Sequence, residues 1–223
     1  LGKAACENLW TVDVVCHGTP SVKVWRKYVE EIECAEKSKL IRIDFRSKQT
    51  GWKHYSLHCE FNGGEKKYVY YDDDIFMKLF LLRICQNESC TNCHYRKLPR
   101  IADITLGDFW GVANYHPEMD DNKGTSVVLL NTAHGEFLFN SISNGLVLCE
   151  SSLEKAVVGN PCIVRSGRPH RNRARFFENL NKYTLEELIQ KYDGKLPLHW
   201  RFYCMVRGCL GRVKLRITNR LRK

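Results

Sequence analysis

Three cysteines in the middle of the chain, Cys85, Cys90 and Cys93, form a C-x4-C-x2-C run. Such a run is typical of an iron–sulfur site, because a C-x2-C turn lets two thiolates approach one small inorganic core. A further ligand has to come from a distant part of the chain, and Cys16, in a Val-Cys-His-Gly segment, is the candidate. The run therefore predicts a fold in which the segment around Cys16 lies against residues 85–93.

The spacing alone leaves other kinds of site open. It resembles the ligand run of plant-type 2Fe–2S proteins. A structural zinc site is the main alternative, although such a site usually shows two C-x2-4-C knuckles and this sequence has one. Ordinary core thiols are the third alternative. The remaining cysteines show no ligand run, so five are interpreted as isolated thiols and two are left unassigned: Cys6, Cys34, Cys59, Cys149 and Cys162, then Cys204 and Cys209.

The eleven cysteines also indicate a cellular compartment. Their odd number and clustered spacing argue against a disulfide framework and favour reduced thiols that serve a metal. The sequence shows no apolar signal segment and no run of about 18 apolar residues. We therefore expect a cytoplasmic protein. The chain begins at Leu1 without Met, which we interpret as a fragment whose upstream part is missing.

The net charge of +10 is concentrated near the C-terminus. Residues 1–164 contain 19 Lys and Arg against 21 Asp and Glu, whereas residues 165–223 contain 16 against 4. We therefore divide the chain into a main domain, 1–164, and a basic helical extension, 165–223. From Trp200 onward apolar and basic residues alternate, which suits an amphipathic helix on an anionic membrane surface. Peripheral membrane attachment is thus the expected role of the tail, in preference to nucleic-acid binding.

Hydrophobic periodicity predicts an α/β fold with a mixed, partly antiparallel sheet and flanking helices. Residues 11–16 are predicted as a buried strand, followed by a helix that runs from Pro20 to about Cys34, with Thr19 as N-cap and Pro20 at the first helical position. The period then changes to two, which predicts an antiparallel meander over residues 40–71. Further predicted elements are a helix capped by residues 72–74, a strand at 101–106, a strand at 127–130 and a helix at 135–142.

Two segments offer groups suited to phosphate. The turn formed by Lys123, Gly124, Thr125 and Ser126 combines a cation, backbone amides and hydroxyls, although it lacks the full P-loop pattern. Residues 165–177 contain five arginines, which can hold the pyrophosphate of a dinucleotide through bidentate guanidinium contacts. A solvated basic surface is the alternative for this second segment. The sequence shows no Ser-His-Asp or paired-carboxylate arrangement, and chemistry carried by a redox cofactor requires none.

Five motifs that occur in one order carry a resemblance to a known family. They are residues 13–21, residues 45–52, the cysteine triplet, residues 102–111 and residues 123–126. Together they resemble the C-terminal region of the coenzyme F420 hydrogenase/dehydrogenase beta subunit family. Longer relatives carry an upstream segment with a Gly-Thr-Pro-Cys-Gln stretch that this sequence lacks. If the cysteine of that stretch is a ligand, then Cys16 or Cys85 is not.

The resemblance implies a flavin-dependent iron–sulfur oxidoreductase that transfers electrons between a reduced deazaflavin or flavin and a ferredoxin-type acceptor. Its implied cofactors are a 4Fe–4S cluster and FAD or FMN, with coenzyme F420 as a further candidate. The implied cluster ligands are Cys16, Cys85, Cys90 and Cys93, and the nuclearity comes from the family rather than from the spacing. The alternative function is a non-enzymatic zinc or cluster module whose basic tail binds a membrane or nucleic acid.

Eight residues are predicted to lie beside the cofactors: His17, Gly18, Asp108, Trp110, Lys123, Gly124, Thr125 and Ser126. His17 is predicted to hydrogen-bond a cluster sulfur, and a packed histidine satisfied by the backbone is the other interpretation. Asp108 and Trp110 are predicted to lie beside the flavin or the cluster. The alternative is that they end a strand and fill the core.

Overall fold

The computed structural model describes residues 9–193, and these residues form two three-stranded sheets and six α-helices. The strands are β1 (Val12–Val14), β2 (Leu40–Ser47), β3 (Ser56–Phe61), β4 (Lys66–Tyr70), β5 (Ile104–Asp108) and β6 (Ser126–Leu130). The helices are α1 (Val22–Glu36), α2 (Ile75–Leu81), α3 (Ala133–Ile142), α4 (Leu153–Gly159), α5 (Arg173–Glu178) and α6 (Leu185–Asp193). The predicted mixed α/β fold with antiparallel pairing is confirmed.

Some of the predictions lie outside the described residues. They concern the amphipathic tail from Trp200 onward and three cysteines, Cys6, Cys204 and Cys209. Within residues 9–193, none of the helices combines the length and the apolar character that crossing a bilayer requires.

The first sheet has the strand order β1-β5-β6. β1 runs parallel to β5, with Asp13 opposite Thr105, and β5 runs antiparallel to β6, with Asp108 opposite Ser126. The pairing continues past β1, because the Val15 N–H donates to the Leu106 carbonyl oxygen at 2.8 Å. Parallel strands end at the same edge of a sheet, so the chain that leaves β1 and the chain that leaves β5 emerge side by side.

The second sheet is the predicted meander, in the order β2-β3-β4, and both of its pairings are antiparallel. Residues 62–65 form the tight connection between β3 and β4. Tyr55 and Leu57, from the start of β3, pack with Met77 of α2 in a buried apolar cluster. This contact fixes the helix that precedes the cysteine run on one face of the meander.

Helix α1 begins later than the sequence predicts. Its N-cap is Ser21, whose hydroxyl accepts from the Lys23 N–H, so the assignment of Thr19 as N-cap is wrong. Thr19 instead pairs with the cysteine run, because its carbonyl oxygen accepts from the Asn87 N–H at 2.8 Å. The next residue, Pro20, forms an isolated antiparallel β-bridge with Gln86. Tertiary pairing with residues 86–87 thus keeps this segment extended and delays the helix by two residues.

The acidic cap predicted for the second helix is confirmed. Asp74 accepts from the Met77 N–H at 2.8 Å, as an N-cap does, and also from the Tyr28 hydroxyl at 2.7 Å. Tyr28 lies on α1, and both residues are buried. One carboxylate therefore caps α2 and joins it to α1.

The main apolar core combines both ends of the described chain. Val24 and Tyr28 of α1 pack with Leu79 of α2 and with buried side chains of the basic extension: Phe176, Leu180, Leu185 and Leu188. At its edge the Leu185 N–H donates to the Glu31 carboxylate at 3.2 Å. Residues 165–193 thus share a core with α1, and the division of the chain at residue 164 stays a prediction.

Asp103 joins three elements at the start of β5. Its Oδ2 atom accepts from the Thr11 N–H at 2.8 Å and from the Thr11 hydroxyl at 2.7 Å, just before β1. Its Oδ1 atom accepts from the hydroxyl of Thr132, the N-cap of α3, at 2.7 Å. Hydrogen bonds from Thr132 and Thr11 favour the charged carboxylate and lower the pKa of Asp103 to about 2.

We expect the variant Asp103→Asn to lower the free energy of unfolding at pH 7, because the amide cannot replace the charged acceptor. The pKa of Asp103 in the folded protein lies below the ordinary value of 3.8, so its stabilising contribution is complete above that value and disappears as the pH falls toward 2. Urea unfolding of both proteins between pH 7 and pH 2 should therefore show a difference that shrinks on acidification. Asp73→Asn, at an exposed site, is the control; a difference independent of pH would contradict the assignment.

Candidate metal centre and cofactor site

The two segments that carry the predicted cysteine ligands lie against each other. The Thr19 N–H donates to the Cys90 sulfur at 3.3 Å, and the Ser21 N–H donates to the Cys85 carbonyl oxygen at 2.8 Å. The Gln86 side-chain amide donates to the His17 carbonyl oxygen at 3.0 Å. The fold therefore brings the chain that follows Cys16 onto the cysteine run.

The four predicted ligands have different surroundings. Cys16 is exposed, Cys90 and Cys93 are half-buried, and Cys85 is fully buried in the main core. Burial raises the pKa of the Cys85 thiol to about 12, so at neutral pH this residue is a protonated core thiol. Three of the four side chains are thus at least partly accessible to solvent.

The spacing of the four sulfur atoms is not that of a site for a single ion. Among residues 9–193, these cysteines do not form a group of three ligand atoms that all lie within 4.8 Å of one another. Ligands of an iron–sulfur cluster bind different iron atoms and stand farther apart than ligands of one ion. Among the described residues, these sulfur atoms thus do not form a preassembled site for a single ion.

Cys162 lies next to this contact, although no local pattern in the sequence indicates it. It is buried, and its sulfur accepts from the Arg83 guanidinium at 3.2 Å. Four residues later, the Ser166 hydroxyl accepts from the Cys93 N–H at 3.1 Å. The segment that follows α4 therefore forms another wall of the candidate centre, and Cys162 is a buried free thiol in that wall.

His17 and Gly18 occupy the turn between Cys16 and the extended segment. Gly18 has a φ of +142°, and a Cβ atom there would lie 2.5 Å from the side-chain nitrogen of Gln86, so glycine is required for this close approach. Arg83 donates to the His17 carbonyl oxygen at 3.1 Å, and its Nη2 atom lies 3.4 Å from His17 Nδ1.

The His17 ring is neutral and packs against the Phe80 ring at 4.8 Å between centroids. Burial and the Arg83 guanidinium lower the pKa of His17 to about 4. A ring nitrogen beside a guanidinium accepts, so the proton of the neutral ring resides on Nε2. That Nε2 atom is buried and has no hydrogen-bond partner among the described residues.

Two buried arginines in the loop after Cys93 differ in their partners. Arg100 is paired with Asp13 at 2.7 Å and also donates to the Tyr95 carbonyl oxygen at 2.7 Å. Arg96 is 5% exposed, and its Nε and Nη1 atoms have no hydrogen-bond partner within residues 9–193. Arg96 lies close enough to His17 to depress the pKa of that ring. Arg100 is thus paired with a carboxylate of the fold, whereas Arg96 has no such partner among the described residues.

These groups fit an anionic centre bound by thiolates. A buried donor without a partner costs about 1–3 kcal/mol, and an unpaired buried charge costs more. Thiolates and the sulfides of an iron–sulfur cluster are acceptors with net negative charge, so they would satisfy both His17 and Arg96. The residues present at this contact therefore fit the cluster that the cysteine run predicts.

A second group of predicted residues meets at an aromatic corner formed by Arg46, Trp52, Asp108 and Trp110. The rings of Trp52 and Trp110 stack at 5.0 Å, and the Arg46 guanidinium lies 4.3 Å from the Trp52 ring and 3.0 Å from an Asp108 oxygen. Gly124 has a φ of +101°, and a Cβ atom there would lie 2.7 Å from the Trp52 ring. The fold thus gathers Asp108, Trp110 and the predicted phosphate turn.

The turn itself has already used part of its hydrogen-bonding capacity. The Lys123 N–H donates to the Asp121 carboxylate at 2.8 Å, and the Thr125 hydroxyl donates to the Met119 carbonyl oxygen at 2.6 Å. The Lys123 ammonium group is exposed and lies 3.9 Å from Asp121, and Ser126 is exposed as well. The ammonium group and the Ser126 hydroxyl are therefore the accessible groups of the turn.

A cationic cleft of about 410 Å³ lies beside the cysteine run. Its lining includes Arg83, Arg165 and Arg168, together with Cys162 and Ser166. In the part of the chain that the structure describes, none of the three arginines forms an ion pair with a carboxylate. We call this feature the arginine cleft, and its charge suits a phosphate or carboxylate ligand.

We expect Arg96→Met to stabilise the metal-free protein by about 1–3 kcal/mol, because it removes a buried donor that lacks a partner. The matched variant Arg100→Met should lower the free energy of unfolding by about 3–5 kcal/mol, since it leaves Asp13 without its cation. Urea unfolding of metal-free protein measures both effects. Equal losses in the two variants would show that Arg96 is already satisfied within the metal-free fold.

The comparison with protein families supports the resemblance seen in the motifs. Residues 3–156 match the family model for the C terminus of the beta subunit of coenzyme F420 hydrogenase/dehydrogenase. Comparisons with curated proteins and with solved structures found no match. The matched range covers well over half of the chain and contains the cysteine run, His17 and the aromatic corner. The chain therefore belongs to the coenzyme F420 hydrogenase/dehydrogenase beta subunit family, a family of redox enzyme subunits, and matches its C-terminal region.

Proposed function

We propose that this chain is the cluster-bearing part of a flavin-dependent iron–sulfur oxidoreductase. It transfers electrons between a reduced deazaflavin or flavin and a ferredoxin-type acceptor. The observation that carries the proposal is the contact between Cys90 and the segment after Cys16, where the buried donors of His17 and Arg96 lack partners. When bound, a 4Fe–4S cluster supplies a one-electron relay.

The proposed ligands are Cys16, Cys85, Cys90 and Cys93. The exposure of Cys16 and the partial exposure of Cys90 and Cys93 support three of them. Cys85 has the right spacing, but its thiol is packed in the main core and has to move to bind iron. Cys162, which lies beside Arg83, is the alternative to Cys85 as the fourth ligand.

The surrounding side chains have two tasks in this proposal. His17 donates its Nε2 proton to a ligand sulfur, and Arg96 places a positive charge near the centre. Both contacts stabilise negative charge, so they favour the reduced form of the bound cluster and raise the reduction potential of the cluster. The apolar core behind Cys85 keeps water from this side of the site.

The aromatic corner and the arginine cleft are proposed to hold the organic cofactors. Trp110 stacks on Trp52, which adjoins Gly124 in the turn that carries the accessible Lys123 and Ser126 groups, and this arrangement suits a flavin. The arginine cleft suits the phosphate of a dinucleotide or of coenzyme F420, and Ser166 connects it to Cys93.

Replacing Cys90 or Cys93 with serine should abolish iron incorporation, because a hydroxyl is a much poorer iron ligand than a thiolate. Iron and acid-labile sulfide are measured after anaerobic reconstitution, and Cys34→Ser, at an exposed site on α1, is the control. Loss of iron in Cys85→Ser but not in Cys162→Ser identifies Cys85 as the fourth ligand, and the reverse identifies Cys162. Full iron content in both the Cys90 and the Cys93 variant would refute the cluster.

The double variant Arg165→Met/Arg168→Met should weaken binding of FMN, FAD or coenzyme F420 by about tenfold or more, since charge-assisted hydrogen bonds to phosphate contribute about 1.5–3 kcal/mol each. Fluorescence titration of reconstituted protein measures the dissociation constant. Lys182→Met, an exposed charge outside the cleft, serves as the control. If Lys123→Met weakens cofactor binding and the double variant does not, the phosphate binds at the turn and not in the arginine cleft. If the protein binds none of the three cofactors, the result counts against a flavin site.

A further inference from the structure

Three side chains that can bind a metal ion meet near Phe109, at a place that no motif in the sequence indicates. His116 Nδ1 lies 3.2 Å from the Cys149 sulfur. Glu118 Oε1 lies 3.6 Å from the same sulfur and 3.7 Å from His116 Nδ1. The interpretation of Cys149 as an isolated thiol is therefore wrong. Cys149 is 33 positions from His116 and 31 from Glu118, so the tertiary structure brings its sulfur to the other two residues.

The separations match those of a tetrahedral zinc site. Zinc binds thiolate sulfur at about 2.3 Å and imidazole nitrogen or carboxylate oxygen at about 2.0–2.2 Å, which places neighbouring ligand atoms about 3.4–3.6 Å apart. The three observed distances are 3.2, 3.6 and 3.7 Å. The donor atoms of His116, Glu118 and Cys149 thus already stand near three corners of such a tetrahedron.

A fourth side chain orients the histidine. The Ser151 hydroxyl lies 2.9 Å from His116 Nε2, and the ring edge packs against Phe109 at 6.1 Å between centroids. The His116 side chain is only 12% exposed, so its position is held by the fold. An Nε2–H group that donates to Ser151 leaves Nδ1 unprotonated and free to bind a metal, which is the usual arrangement around a metal-bound histidine.

The same contacts argue against a nucleophilic cysteine. An activated thiol requires a base whose other nitrogen is oriented by a third group, and a positive environment that favours the thiolate. Here the carboxylate of Glu118 contacts the sulfur itself, and a neighbouring negative charge opposes ionisation of the thiol. A divalent cation removes this conflict, because it neutralises both the thiolate and the carboxylate.

We propose that His116, Glu118 and Cys149 form a zinc site that is separate from the cysteine centre. The Cys149 thiol releases its proton to solvent as the zinc–sulfur bond forms, and the fourth position is open to water or to a small ligand from solution. Bound zinc would tie the segment after β5 to the segment before α4, which flank the strand end that carries Asp108. The site requires no iron and no flavin, so it stands independently of the proposed redox function.

The test is the zinc content of the full chain after equilibration with ZnSO4 and removal of free metal. Wild-type protein should retain one zinc more than Cys149→Ser or His116→Gln, whatever metal the other cysteines hold. Cobalt should replace this zinc and give a thiolate-to-cobalt charge-transfer band that disappears in both variants. The Ser151→Ala variant should bind zinc about 10–100-fold more weakly, as removal of an outer hydrogen bond to a metal-bound histidine does.

Two controls keep the result specific. Cys34→Ser removes another exposed thiol and should retain the full zinc content. Cys149 is exposed, so its substitution by serine should leave the fold intact, which circular dichroism checks. Equal zinc content in wild type, Cys149→Ser and His116→Gln would overturn the proposal. The same loss of zinc in Cys34→Ser as in Cys149→Ser would overturn it as well, because it would show non-specific binding to thiols.

Discussion

The parallel pairing of β1 with β5 determines where everything else at the candidate centre lies. It aligns two strands that are 92 residues apart in the chain, and it continues through the hydrogen bond between Val15 and Leu106. The approach is close, because a Cβ atom on Gly107 would lie 2.8 Å from the Val15 side chain. As a result, Cys16 leaves the sheet at the edge where Asp108 leaves it, and the chain then has to cross the cysteine run before α1 begins. A shift in this pairing would separate the two halves of the site.

The sequence alone predicted the parts of the structure that depend on local chemistry. The period-two pattern predicted the meander, and Asp74 was expected to cap α2. The placement of Cys16 as a ligand beside the triplet stays a prediction. The start of α1 was misplaced, because the pairing of Pro20 with Gln86 is a tertiary contact that local capping preferences cannot reveal. For the same reason, spacing could not show that Cys85 is packed in the core while Cys90 is accessible.

Electrostatic roles were the least predictable part of the site. Arg96 and Arg100 look alike in the sequence, as two basic residues in one loop, yet only Arg100 has a carboxylate partner in the described structure. Their difference depends on Asp13, which is 87 residues away from Arg100. The grouping of His116 with Cys149 depends in the same way on two loops that meet only after folding. Patterns within a short window carry no information about such pairs, so the structure was needed to identify them.

The shared core of α1 and α6 has a consequence for how the chain folds during synthesis. The contact between Glu31 and Leu185 spans 154 residues, and the core that α1 shares with α2 is completed only by the segment around Leu188. Contacts of such high sequence separation close late, because the entropy of forming the loop precedes any gain from packing. While the ribosome is still adding the last third of the chain, the part of this core that α6 covers is exposed to solvent. Nascent chains of this protein should therefore depend on chaperones that shield apolar helices until residue 188 has emerged.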